Sequence, residues 1–240
     1  MCGLVGAIIR NPSGRDFLLL RSLIVQASIR GRHATGVAWV KNKKVQIEKA
    51  SLPAKDFLEK FGSLEKLVNE DGNIYCLAHT RYSTSDLKFN QPLGDGRYAI
   101  AHNGVVSQEP VNRWKELYGY TCSTKNDSEL LLQALRKKHR PLETFPNCSA
   151  AVIELHHDKH LRAYRNGKRP LYFSFRDNGV IVTSTVDIGR RSGLKGMVPY
   201  KAGQYIKVAA DSSARIDWTD DRPIDLQRIE PNNYQSSHLE

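Results

Sequence analysis

The sequence predicts an α+β protein in which two β-sheets are faced by helices. Three observations support this fold class. A strand-like apolar run opens the chain, helical apolar patterns alternate with further strands through the middle, and short alternating runs follow residue 149. With 240 residues and 40% hydrophobic content, the chain is long enough to bury a sizeable core, and we interpret residues 1–240 as one domain.

The first part of the chain is predicted to alternate strands and helices. The apolar run at residues 2–10 predicts a strand buried on both faces, and the turn after it precedes a helix near residues 16–29. A second strand is predicted near residues 34–40. A helix with proline near its first turn is predicted over residues 53–68, with Gly62 as a possible interruption.

The second part is predicted to be richer in strands. Strands at residues 73–80 and 97–102 flank a loop rich in Pro, Gly and Asp, and a helix is predicted from about residue 126 to 138. From residue 149, alternating runs separated by turn residues predict an antiparallel meander. A loose polar tail is expected from about residue 219.

Composition limits the classes of protein to consider. No apolar stretch reaches the roughly 18 residues needed to cross a bilayer, and the N-terminal run lacks the basic flank of a signal peptide, so a soluble cytoplasmic protein with no membrane partner is expected. The four cysteines, Cys2, Cys76, Cys122 and Cys148, form no CxxC pair, so we expect free thiols and neither a metal nor a cofactor.

The chain is strongly basic, with a formal net charge of +11. The electrostatic field of such a net charge attracts nucleic acid, phosphorylated metabolites or an acidic partner surface. Because the charge is scattered in short clusters without interleaved aromatic residues, we interpret it as solvated surface charge and not as a nucleic-acid footprint.

The opening stretch MCGLVGAIIR contains the first candidate catalytic residue. Taken alone, Cys2 is most simply a small buried hydrophobe. Removal of Met1 would instead give Cys2 both a thiol and a free α-amine with a pKa of about 7.7–8.0, so that one residue carries nucleophile and base together.

The segment HTRYST at residues 79–84 ends a predicted strand. The Arg81 guanidinium there suits bidentate capture of a carboxylate, and Thr84 can add a hydroxyl donor. The alternative for Arg81 is a surface ion pair.

Two further candidates lie beyond this segment. The predicted strand ending at His102 runs into Asn103-Gly104, whose carboxamide and unshielded N–H can present two donors to an oxyanion, although Asn-Gly is also a common tight-turn dipeptide. Asp127 in NDSE can cap the following helix or hold a substrate ammonium.

Together and in this order, the motifs MCG, RGxxxxG, HTRYST, HNG and NDSE closely resemble the class II glutamine amidotransferase domain, an N-terminal-nucleophile hydrolase. The glutaminase domain of amidophosphoribosyltransferase is the nearest in character, because RNGKRPLYF and VPYKAGQYIKV are also similar to it. The resemblance spans about residues 2–208 and implies a four-layer αββα sandwich.

The resemblance also implies roles. Cys2 would be the nucleophile and, through its amine, the base, with Asn103 and the Gly104 N–H as the oxyanion hole. Arg81 with Thr84 would bind the α-carboxylate of L-glutamine. The implied residue for the α-ammonium is Asp127, and the implied structural residues near the site are Arg30, Gly31 and His102.

Two departures from the family pattern occur, at His33, where an aspartate is common, and at Ser85-Asp86, where a glycine is usual.

The resemblance implies glutamine hydrolysis through a γ-glutamyl thioester, with ammonia passed to a separate acceptor synthase or transferase. A phosphorylated or nucleic-acid-linked acceptor is a further possibility for the basic surface. The alternatives are a hydrolase of another γ-glutamyl or N-acyl amide, and a non-catalytic basic binding protein on the same scaffold.

One motif lies outside this scheme. HHDKH at residues 156–160 offers possible metal ligands, but it lies where a hairpin turn is expected and lacks a helical i, i+4 arrangement, so we interpret it as a solvated turn.

Overall fold

The computed structural model describes residues 2–83, 90–203 and 205–209. In these ranges the chain forms two antiparallel sheets, of seven and five strands, with helices on the outer face of each. The predicted α+β class and its four αββα layers are confirmed. The predicted polar tail lies outside the described residues.

The seven-stranded sheet has the order β11-β9-β10-β1-β4-β2-β3. Its strands are β1 Gly3–Ile9, β2 Ala34–Lys41, β3 Lys44–Ala50, β4 Ile74–Arg81, β9 Tyr172–Arg176, β10 Gly179–Thr183 and β11 Val198–Pro199. Strand β1 is buried at every position because it lies in the middle of this sheet, as its unbroken apolar run predicts.

The five-stranded sheet has the order β12-β8-β7-β6-β5. Its strands are β5 Leu93–Gly94, β6 Tyr98–Val105, β7 Ser149–His156, β8 His160–Arg165 and β12 Tyr205–Ala209. The predicted meander after residue 149 is therefore divided: β7 and β8 belong to this sheet, while β9 and β10 form a hairpin that joins the other sheet beside β1.

The helices cover the two outer faces. They are α1 Gly14–Ala27, α2 Ala54–Phe61, α3 Trp114–Tyr118, α4 Ser128–Arg136, α5 Pro141–Thr144 and α6 Val186–Arg191. The predicted interruption at Gly62 is confirmed, because α2 ends there with Gly62 at φ +79°. None of the helices in the described ranges is both long enough and apolar enough to span a membrane.

Three apolar clusters hold these layers together. Alternate residues of both sheets, including Leu4, Leu77 and Ala101, pack face to face in the centre of the molecule. The outer face of the larger sheet packs on α1, α2 and α6, and that of the smaller sheet packs on α3 and α4. Strand alternation therefore decides whether a side chain points into the space between the sheets or towards a helix.

Candidate active site

Cys2 lies immediately before β1, at one end of the larger sheet, and is partly buried. Its carbonyl oxygen accepts a hydrogen bond from Arg30 Nε at 2.9 Å, and its Sγ lies 3.9 Å from the carbonyl oxygen of Tyr82. Burial lowers the pKa of Arg30, and attraction to Cys2 opposes this effect. Arg30 therefore fixes the backbone of the candidate nucleophile from the turn that follows α1.

The segment after α1 packs directly on the end of β4. A Cβ atom at Gly31 would collide with the backbone of Arg81 and Tyr82, so only glycine allows this close approach. The N–H of His33 donates to the carbonyl of Arg81 at 2.9 Å, and His33 Nδ1 accepts from the N–H of Ser83 at 2.9 Å. His33, a departure from the family pattern, thus fastens the chain that follows Arg81.

Arg81 is the neighbour of Cys2 across the sheet. Gly3 pairs with Thr80, so Cys2 and Arg81 are the next residues outward on adjacent strands. By strand alternation Arg81 lies on the face that meets the other sheet, and its Nη1 donates to Asn90 Oδ1 at 3.1 Å.

Asn103 and Gly104 lie within β6, paired with Ala151 and Ala150 of β7. The tight-turn alternative for this dipeptide is therefore wrong. Asn103 is buried, shares its face with Ala101 in the space between the sheets, and its Oδ1 has no hydrogen-bond partner among the described residues.

Glycine is required at position 104 for two reasons. Its φ of +118° lies in the region that disfavours side chains, and a Cβ would collide with the carbonyl oxygen of Ser149. The backbone of Gly104 is therefore unshielded by a side chain, as an oxyanion donor needs.

Asp127 occupies the position before α4 but does not cap that helix with its side chain. Its Oδ2 accepts from the N–H of Val106 at 2.7 Å, and its Oδ1 lies 3.5 Å from His102 Nε2. The helix-capping alternative is therefore wrong, and the carboxylate is held against the chain just beyond Gly104.

His102 points towards α4 and away from the space between the sheets. Its Nδ1 is 2.8 Å from Ser128 Oγ, and its Nε2 is 3.5 Å from Asp127 Oδ1. His102 therefore connects the start of α4 to the strand that carries Asn103.

The side chain of Gln91 binds the backbone of His102. Gln91 was not identified from the sequence. Its Oε1 accepts from the N–H of His102 at 2.6 Å, and its Nε2 donates to the carbonyl of His102 at 3.3 Å. Leu93 pairs with Ile100, so the same register continued backwards would set residue 91 opposite residue 102. The side-chain amide of Gln91 therefore occupies the place of a further strand residue.

Asn90 links the same segment to the larger sheet. Its side chain accepts from Arg81 and donates to Ser51 Oγ at 3.2 Å. Lys49 Nζ donates to the carbonyls of Asn90 at 2.7 Å and Pro92 at 3.0 Å, and burial lowers the pKa of Lys49. Residues 90–92 thus tie the strand of Arg81 to the strand of Asn103.

His79 is a second residue that the sequence did not single out. It lies two residues before Arg81 on the same face of β4, and it is buried with no hydrogen-bond partner on either ring nitrogen among the described residues. Burial, reinforced by the charges of His102, Arg81 and Lys49, lowers the pKa of His79 to about 3. A neutral imidazole with free donor and acceptor atoms therefore lies beside Arg81.

Met1, Thr84 and the departure Ser85-Asp86 lie outside the described residues. Within the described ranges, no cluster of three metal-ligating side chains includes a residue of this site.

Two packed antiparallel sheets between helices, with a cysteine at the head of a central strand, define the architecture of an N-terminal-nucleophile hydrolase. Residues 35–192 match the model of the glutamine amidotransferase domain, and the chain belongs to that family. The class II assignment made from the motifs is confirmed.

Solved structures share the fold. The glutamine phosphoribosylpyrophosphate amidotransferase from B. subtilis superimposes with a TM-score of 0.63 at 19% identity, over 87% of this chain and 47% of that one. A glutamine aminotransferase class-II domain protein from Silicibacter pomeroyi gives a TM-score of 0.55 at 15% identity, over 86% of this chain and 95% of that one.

Curated relatives include glutamine–fructose-6-phosphate aminotransferases (isomerizing). The protein from Sulfurisphaera tokodaii is 24% identical over 189 residues, covering 76% of this chain and 31% of the relative. The protein from Cyanidium caldarium is 27% identical over 164 residues, covering 65% of this chain and 25% of the relative. The chain thus spans a third or less of the length of these relatives.

Proposed function

We propose that this protein hydrolyses L-glutamine to glutamate and ammonia, with Cys2 as the nucleophile. After loss of Met1, the α-amine takes the thiol proton, and the thiolate attacks the side-chain amide carbon. The amide nitrogen leaves as ammonia with that proton, and water then hydrolyses the γ-glutamyl thioester to glutamate and restores the thiol. The observation that carries this proposal is the position of Cys2 beside Arg81, at the end of a sheet whose inner face meets the face of Asn103.

The other residues have roles that follow from their chemistry. The Asn103 carboxamide and the Gly104 N–H donate to the oxyanion of the tetrahedral intermediate. Arg81 binds the α-carboxylate of glutamine, with Thr84, and Asp127 binds the α-ammonium. Asp127 supports this role because its carboxylate is partly exposed and is not used to cap α4. Holding both charged ends aligns the carboxamide and rejects substrates that lack either charge.

We also propose that the ammonia passes to a separate acceptor enzyme that docks on this domain. The support is that curated relatives which carry a similar segment are named as aminotransferases and are at least three times as long as the matched region. An affinity capture that returns no synthase or transferase, together with rapid glutamine hydrolysis by the isolated protein, would count against delivery to a partner.

The test of the hydrolysis begins with intact mass, which should show loss of Met1. Glutamate and ammonia are then measured for the wild type, for Cys2→Ala and for Cys122→Ala as a control at another thiol. Cys2→Ala should release no glutamate and Cys122→Ala should retain activity. Retained glutaminase activity in Cys2→Ala, or retention of Met1 in an active protein, would overturn the mechanism.

A substrate comparison separates glutamine from other amides. Glutamine, its N-acetyl derivative and its α-amide should be compared at equal concentration. The Arg81 and Asp127 contacts predict strong preference for free glutamine. Equal rates on all three compounds would instead indicate a hydrolase of other γ-glutamyl or N-acyl amides.

A further inference from the structure

The β7–β8 hairpin places two histidines on one face of the smaller sheet. His156 ends β7, His160 begins β8, and the two residues pair directly across the hairpin. Their rings stack with centroids 3.9 Å apart and both residues are buried, at 8% and 7% exposure. The hairpin turn itself is confirmed, but its interpretation as solvated is wrong for both histidines.

Asp158 in the turn completes a group of three metal-ligating side chains. One ligand atom from each of His156, Asp158 and His160 lies within 4.8 Å of the other two, and Asp158 Oδ1 is 2.7 Å from His160 Nδ1. Ligand atoms of a single tetrahedral Zn²⁺ ion lie about 3.4 Å apart, given bonds of about 2.0–2.1 Å. The Asp158 side chain is 58% exposed, so its carboxylate can shift towards a bound ion.

Glu154 orients the imidazole of His156 for metal binding. Its Oε2 lies 3.2 Å from His156 Nε2, and its other oxygen is buried without a hydrogen-bond partner among the described residues. A proton held on Nε2 by this carboxylate leaves the lone pair of His156 Nδ1 available. Carboxylate–histidine pairs of this kind orient metal ligands in proteins.

The neighbouring cations are largely paired with other carboxylates. Arg162 Nε bonds to Glu154 at 2.6 Å, and Lys159 Nζ bonds to Asp71 at 2.9 Å. Lys207 lies on β12 opposite Arg162 and near His160. The carboxylate of Asp158 therefore remains to offset the charge of a bound cation.

We propose that His156, Asp158 and His160 bind one divalent transition-metal ion of the Zn²⁺ type. Two imidazoles and one carboxylate suit such an ion, and the exposed side of the turn leaves its remaining position to water. The site is separate from the candidate active site: Asn103 pairs with Ala151 and Tyr98 with His156, five residues farther along, or about 17 Å at 3.4 Å per residue. The ion would therefore brace the far end of the smaller sheet.

The test uses full-length protein without a polyhistidine tag, treated with chelator and carrying Cys2→Ala to remove a competing thiol ligand. Titration with Co²⁺ should give visible d–d absorption that saturates at one ion per chain, and calorimetry with Zn²⁺ should give the same stoichiometry. Bound Zn²⁺ should raise the Tm, and the increase should grow with the logarithm of the Zn²⁺ concentration above Kd.

Variants assign the ligands. His160→Ala and Asp158→Asn should each weaken Zn²⁺ binding at least tenfold, whereas His157→Ala, the matched control in the same turn, should stay within twofold. Asp158→Asn changes an exposed residue, so it keeps the test valid if His160→Ala does not fold. Absence of saturable Co²⁺ absorption, or equal Zn²⁺ affinity in wild type and Asp158→Asn, would overturn the proposal.

Discussion

Replacing Gln91 by alanine should destabilise the protein and slow its chemistry together. The change removes the 2.6 Å bond from the His102 N–H and the longer bond to the His102 carbonyl, and His102 is only 3% exposed. An orphaned buried donor costs about 1–3 kcal/mol and the weaker bond about 1 kcal/mol more, so about 3 kcal/mol is expected. For a domain of this size that loss lowers the Tm by roughly 6–12 °C in a thermal unfolding experiment.

The kinetic effect follows from the neighbour of His102. Asn103 is the next residue on β6, so a loosened His102 should lower kcat for glutamine with little change in KM. Asn90→Ala is the paired variant: because Asn90 contacts Arg81, it should raise KM more than it lowers kcat. These expectations rest on the proposed glutaminase activity.

Two further variants sharpen the test. Gln91→Glu keeps an acceptor for the His102 N–H but sets a carboxylate against the His102 carbonyl, so it should also destabilise. Gln108→Ala changes an exposed glutamine and should match the wild type. If Gln91→Ala unfolds at the wild-type temperature with wild-type kcat, the idea that the Gln91 side chain takes the place of a strand residue opposite His102 is refuted.

Three other outcomes are expected. Asn103→Ala should lower kcat by about 10²–10³ while leaving the Tm close to that of the wild type, and an unchanged kcat would remove Asn103 from the oxyanion hole. Burial works to raise the pKa of Asp16, but hydrogen bonds from Ser13, Arg176 and Asn178 lower it to about 2. Since its unfolded pKa is about 3.9, this carboxylate contributes about 2 kcal/mol above pH 5 that is lost as the pH falls towards 2. Asp16→Asn should therefore show a shallower fall of Tm in acid, and a slope equal to that of the wild type would contradict this. Burial raises the pKa of Cys76 to about 12 and of Cys122 to about 11, so brief alkylation of the native protein should modify Cys2 first, as peptide mass mapping can show.

Much of the fold could be predicted because local patterns dominate in its central elements. The apolar runs of β1, β2 and β4 and the polar opening of α4 are strong signals, and the observed bounds lie within a few residues of those predicted. Strand β3, at Lys44–Ala50, was missed because three of its seven residues are charged and it lies at the sheet edge with little burial. The division of the meander was missed because a hairpin pattern specifies pairing within the hairpin and not the sheet that it joins.

In the candidate site, too, the residues that lie in local motifs were predicted and those that depend on strand pairing were not. Cys2, Arg81 and Asn103 were found because the chemistry of each residue is visible in a short motif. Gln91 was missed because its role depends on a register between two strands that no local pattern encodes. The nearest signal was Pro92, which has no N–H to donate to a strand partner.

The position of β10 has a consequence for biosynthesis. Strand β1 gains its second neighbour only when residues 179–183 pair with it, although β1 itself is made first. Until the ribosome has added residues 179–183, the N-terminal strand has one open edge. A fragment that stops before residue 179 would therefore expose an apolar strand edge of the kind that aggregates.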